Sequence, residues 1–241
     1  MKLQIRKDAS EFRTQLGFGN ADPIRLKSLL LKLEILAVFK TFKEEVSGIA
    51  MKSGKYKFIL INSNHSLGRQ HFSICHELYH LYFDKEFTPH QCNSGTNITK
   101  KKTTEYYADL FASYFLLPED GIVSMIPEEQ LKKNSVGIET ILKIEHYFSC
   151  SRSALLYRLK ELELISSDTY ENYCQNIKST AMKYGYPLDL YEPGNNNLVI
   201  GDYGTLARQL FEKEKISEGH YSSLMNAIGF DILNDEENGK S

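Results

Sequence analysis

This sequence predicts an α+β fold, and three features of its patterning carry the prediction. Apolar residues recur at helical spacing in "IRLKSLLLKLE", "GRQHFSICHELYHLYF" and "TTEYYADLFASYFLLP". Two extended, β-rich runs, "ILAVFKTF" and "YKFILINS", lie between the first and second of these. Strands set between helices in mixed order, rather than alternating with them, predict an α+β domain to about residue 120.

Along the chain, Asp22 and Pro23 predict a helix start as N-cap and first-turn proline. From Ile35 the pattern becomes extended. "SGIAMK", a turn at "SGK" and "YKFILINS" predict a hairpin. A helix over "GRQHFSICHELYHLYFDKEF" follows, then a polar loop at "PHQCNSGTN", then a second helix ended by Pro118. Two short helices around "SCS" (149–151) predict a helix-turn-helix-like segment over residues 121–168. Residues 169–241 form a mostly helical extension, interrupted by the loop signal "EPGNNN", and the last twelve residues are polar enough to fray.

Composition narrows the function classes. The 241 residues are 41% hydrophobic and 25% charged with a net charge of −2, so no global charge steers the chain to nucleic acid or anionic lipid. No apolar run reaches a membrane span, and "MKLQIRKDAS" lacks the apolar stretch of a signal peptide. Four scattered cysteines without a CxxC pair predict a reducing cytoplasm.

The chemistry concentrates in "ICHELYHLYF", residues 74–83. On a helix, His76 and His80 lie about 40° apart on one face, so their imidazoles can converge on one zinc ion. Glu77 sits on the adjacent flank, where it can take a proton from a water on the metal without being a ligand. His71 lies about 140° round from His76 and is predicted to pack or face solvent. A third ligand is available on the next helix, where Glu105, Ala108, Asp109, Ala112 and Leu116 share one stripe. The alanines allow close approach to the first helix, so Glu105 can reach the metal and Asp109 can accept the other N–H of a ligating histidine. The plain alternative is a buried carboxylate satisfied by a histidine without metal. It must explain two convergent histidines and a core carboxylate separately. Three protein ligands with a fourth position open predict a catalytic rather than a structural zinc.

The blocks "GRQHFSICHELYH", "EYYADLFASYFLLPED" and "FSCSRSALLYRLKELELIS" resemble, in that order, the ImmA/IrrE family of zinc metallopeptidases. The resemblance covers residues 11–166. It implies a zincin-like fold over residues 1–120, with His76, His80 and Glu105 as zinc ligands and Glu77 as catalytic acid/base. Tyr79 stands where a glycine is common in the family, and Asp109 where an asparagine is common. The resemblance also implies a protein substrate, a transcriptional regulator such as a helix-turn-helix repressor or an antitoxin-like partner.

Further expectations concern the surroundings of this site. Tyr106, Tyr107 or a residue further on is a candidate donor to the tetrahedral intermediate, and "YKFILINS" is either an edge for an extended substrate or an ordinary half-buried strand. Cys92, in the same polar loop as His90, reads first as a tolerated loop cysteine, with occupation of the open zinc position as the alternative, and Cys75 reads as a packed, inert thiol. The rival function is a DNA-binding regulator with a sensory or structural zinc domain. Charge opposes it, because residues 125–166 carry six basic and six acidic side chains. Arg152 and Arg158 are the small basic patch on which that rival depends.

Overall fold

The computed structural model describes residues 1–43, 45–84, 91–92 and 103–230. The chain opens with a helix that the sequence reading does not place, α1 (Lys2–Gln15). Most of its surface is polar, but Ile5, Ala9, Phe12 and Leu16 are buried at 4-3-4 spacing, a one-sided stripe that was there to be read. A second helix, α2 (Leu26–Lys32), begins later than Asp22 and Pro23 suggest. The Asp22 carboxylate instead accepts the Gly19 N–H at 2.7 Å. Buried Arg13 donates to the carbonyls of Gly19 and Asp22, which holds these residues as a turn.

The strands β1 (Ile35–Lys40), β2 (Gly48–Ser53) and β3 (Tyr56–Asn62) follow as predicted. Strands β2 and β3 pair antiparallel as a hairpin, and β1 runs parallel to β3. With β4 (Gln91–Cys92) and β5 (Val199–Ile200), the sheet order is β4-β2-β3-β1-β5. Strand β3 is therefore central, with a neighbour on each side. The expectation that "YKFILINS" offers an edge fails, because both of its hydrogen-bonding flanks are used inside the sheet.

Ile35, Ala37, Phe39, Ile59 and Ile61 form the covered face of the sheet. The helix α3 (Leu67–Tyr82) packs on β2 and β3, and α4 (Thr103–Leu116) packs between α3 and α1. Ala108 and Ala112 are fully buried in α4, so small residues do permit the close approach of α3 and α4. The Phe111 and Phe115 rings stack with centroids 5.4 Å apart, and Phe12 of α1 packs against both. The described architecture is mixed α+β, as expected. Among the described residues, no helix is long and apolar enough to cross a membrane.

After α5 (Glu119–Ser124) come α6 (Ile138–Phe148) and α7 (Arg152–Glu161), joined at Ser149–Ser151. Ser149 adopts the left-handed region at φ 53°, and the Ser151 hydroxyl caps α7 by accepting the Ala154 N–H. This turn rests on α3. A Cβ on Gly68 would stand 2.7 Å from the Ser151 nitrogen, and His71 Nδ1 lies 2.7 Å from the Ser149 carbonyl oxygen. His71 thus has the packing duty expected of it.

Arg152 and Arg158 do not make the small surface patch that the rival reading could have used. Arg152 and Arg158 are 1% and 3% exposed. Arg152 forms a two-pronged pair with buried Glu145, and Arg158 donates to Glu161 at 2.8 Å and to the Leu117 carbonyl. Counting charges along the sequence treats them as exposed, whereas here the guanidinium groups cross-link helices. The remaining helices are α8 (Ser167–Tyr173), α9 (Ile177–Lys183), α10 (Tyr203–Glu212) and α11 (Glu218–Ala227). The predicted 192–197 loop docks on α3, with Gln70 Nε2 donating to the Gly194 carbonyl at 3.0 Å. Strand β5 then joins the sheet beside β1. Of the frayed tail expected over the last twelve residues, all but Phe230 lie outside the described residues.

Candidate metal centre

The amphipathic helix α3 carries His76, Glu77 and His80 in its second half, all buried. Helical spacing turns both imidazoles to α4, whose first turn carries Glu105. One ligand atom from each of His76, His80 and Glu105 lies within 4.8 Å of the others. The two histidine Nε2 atoms are 3.2 Å apart. His76 Nε2 to Glu105 Oε2, and His80 Nε2 to Glu105 Oε1, are each 3.4 Å.

These spacings test the fit to zinc. A tetrahedral ion with bonds of about 2.0–2.1 Å has ligand–ligand edges of about 3.3 Å. The spacing of the two Nε2 atoms, and the distance from each Nε2 to its nearer Glu105 oxygen, match that edge length. Tautomers supply a second test. His76 Nδ1 lies 2.9 Å from Asp109 Oδ1 and His80 Nδ1 3.2 Å from Asp84 Oδ2. An ionised carboxylate only accepts, so each Nδ1 carries the proton and each Nε2 presents its lone pair inward. Two imidazole lone pairs and a carboxylate turned to one point make a donor set suited to a divalent cation. The residues fit zinc.

Asp109 thus accepts the N–H of a histidine, as its position on the α4 stripe predicts. Asp84 does the same for His80 and was missed. Its signal was only its i,i+4 spacing from His80, one residue beyond the C-cap Phe83 of α3. Such carboxylates fix the ring orientation and raise the basicity of a ligating histidine. Glu105, at 24% exposure, is the most open of the three converging side chains.

Glu77 is fully buried and sits against Gly48 at the start of β2. Tyr106, one candidate donor, is engaged by Lys2 of α1, whose Nζ lies 5.9 Å from its ring centroid. The hydrogen bond with Tyr106 holds the Lys2 ammonium above the usual lysine range. Cys75 is packed as expected, and burial pushes its thiol well up, so it is inert. His90 and the Cys92 side chain lie outside the described residues.

A search of curated proteins finds no match to this chain. The model of a peptidase family, Peptidase M78, described as the IrrE N-terminal-like domain, matches residues 32–160, from β1 through nearly all of α7. That match spans more than half of the sequence and includes α3 and α4 with their His-His-Glu cluster, so the chain belongs to the IrrE N-terminal-like (Peptidase M78) metallopeptidase family.

Proposed function

We propose that this protein is a zinc-dependent endopeptidase that cuts one intracellular regulator, a helix-turn-helix repressor or an antitoxin-like partner. The observation that carries the reading is the donor set itself. Two imidazole nitrogens and the Glu105 carboxylate converge with pairwise spacings of 3.2–3.4 Å, close to the edge of a tetrahedral zinc site, and a buried carboxylate neighbours one of them in sequence. In this reading residues 1–120 are the peptidase unit, 121–168 the helical segment that presents or recognises the substrate, and 169–241 an extension that completes the sheet through β5.

His76, His80 and Glu105 would hold the ion, and Asp109 and Asp84 keep the two imidazoles in the ligating tautomer. Bound zinc supplies Lewis acidity, which polarises a carbonyl and lowers the pKa of a coordinated water. Glu77 is the general base: a carboxylate oxygen accepts a proton from the attacking water and returns it to the departing amine. Glu77 is fully buried on α3 against the start of β2, which shields its carboxylate from bulk water. Substrate choice lies outside the ligand set, because zinc and a base alone do not distinguish one extended peptide from another.

The rival reading, a DNA-binding regulator, is the less well supported of the two. Its two candidate phosphate contacts, Arg152 and Arg158, are buried and paired with Glu145 and Glu161.

The test has two parts. Purified protein should carry close to one zinc per chain by metal analysis, lowered in each of His76→Ala, His80→Ala and Glu105→Ala. Co-expression with the product of the neighbouring gene should yield a defined cleavage that Glu77→Gln reduces by orders of magnitude while zinc stays bound. Full zinc occupancy in Glu105→Ala under mild chelation would remove the third ligand. Undiminished cleavage by Glu77→Gln would remove the base.

A further inference from the structure

The start of β2 lies directly against the Glu77 carboxylate. A Cβ on Gly48 would stand 2.6 Å from Glu77 Oε1 and 3.2 Å from both Cδ and Cγ, closer than real Cβ contacts come. Gly48 does not have a positive φ, so its backbone conformation does not call for glycine. The space does: the missing side chain is the room in which the carboxylate sits.

This corner is tied down from two directions. Asn62, fully buried at the end of β3, donates from Nδ2 to the carbonyls of Val46 at 2.8 Å and Lys43 at 3.0 Å. Its backbone N–H donates to the Ser47 carbonyl at 3.1 Å. From the other side, Arg69 Nη2 donates to the Ser47 hydroxyl at 3.2 Å. Arg69 precedes His76 by seven residues, so the two stand about 20° apart on α3. One face of one helix therefore carries both a metal donor and the group that grips the corner beside Glu77.

We infer that Ser47–Gly48 is the seat that fixes the position of the Glu77 carboxylate, and that Arg69 is the positioning residue that holds this seat. The inference rests on the reading of Glu77 as general base. Neither Gly48 nor Arg69 needs to touch substrate for it to hold.

An alanine at position 48 forces the carboxylate back by close to 1 Å to reach ordinary contact distance. What yields is the end of a flexible side chain rather than backbone, so the fold and the ligand set survive. A misplacement of about 1 Å at a reacting group costs on the order of 10²-fold in rate.

The experiment uses the full chain loaded with zinc. A crystal structure of Gly48→Ala should show Glu77 displaced while the donors of His76, His80 and Glu105 keep their places, with zinc per chain unchanged. With the cleaved regulator as substrate, Gly48→Ala and Arg69→Gln should each lower kcat by about tenfold or more with KM within about threefold. Arg69→Lys, which keeps a donor for Ser47, should recover part of that loss. Under single-turnover conditions, neither substitution should slow Glu77→Gln further. An unmoved Glu77 in Gly48→Ala overturns the inference, as does full loss from these substitutions on top of Glu77→Gln. If the wild type cleaves nothing, the functional reading fails, and the position of Glu77 in Gly48→Ala still decides this inference.

Discussion

Both histidines of the candidate ligand set are held by a second group, and the strength of that hold can be measured one residue at a time. Asp109 accepts from His76 Nδ1 at 2.9 Å and is 15% exposed. Asp109→Ala should weaken zinc binding by about 10–100-fold, the usual cost of losing such a partner, in competition with a chelator of known affinity. Asp109→Asn keeps an acceptor oxygen for the same N–H and should lose less. The spacing of His76, Glu77 and His80 was legible because a helical turn is a local object: four residues set the angle between two side chains. Glu105 and Asp109 were legible as polar residues on a stripe of alanines. Asp84 and Gly48 were not, since their meaning comes from what packs against them.

Among the elements, the α6–α7 pair shows how a local pattern misleads about function. Two helices around "SCS" are present, but Gly68 and His71 of α3 cover the turn, and the arginines of α7 point inward. Glu145 and Arg152 form a buried ion pair, to which the Tyr191 hydroxyl donates at 2.7 Å. Burial pushes the Glu145 carboxyl up, while Arg152 draws it down. Breaking such a pair leaves an uncompensated buried charge. Glu145→Gln should therefore lower stability by about 3–5 kcal/mol in urea unfolding. The paired substitution Glu145→Leu with Arg152→Met should cost less, because neither charge is then left behind. Equal loss in both variants would place the contribution in packing rather than in the ion pair.

For the molecule as a whole, the open question is selectivity. On the proposed function, a peptidase that cut any extended chain would damage the cell that makes it, so docking of a folded partner is the expected source of selectivity. The segment after α4 offers exposed apolar side chains for this, Val123, Leu131 and Tyr147. Leu131→Ser and Tyr147→Ser should slow cleavage of the cognate regulator with zinc content unchanged, and casein should be cut poorly by wild type and variants alike. Casein digestion as fast as cognate cleavage would show that docking is not the source.

By itself the sequence determined the helices that carry the candidate donors, the hairpin, the mixed fold class, and the convergence of His76, His80 and Glu105. All of these follow from short-range periodicity and residue chemistry. Tertiary structure alone decided that β3 is central, that α1 covers α4, that Arg152 and Arg158 are internal cross-links, and that residues 199–200 return to complete the sheet. Burial and strand order depend on which distant segment arrives to cover a surface. A charge therefore reads the same along the chain whether it meets water or a carboxylate far away in sequence.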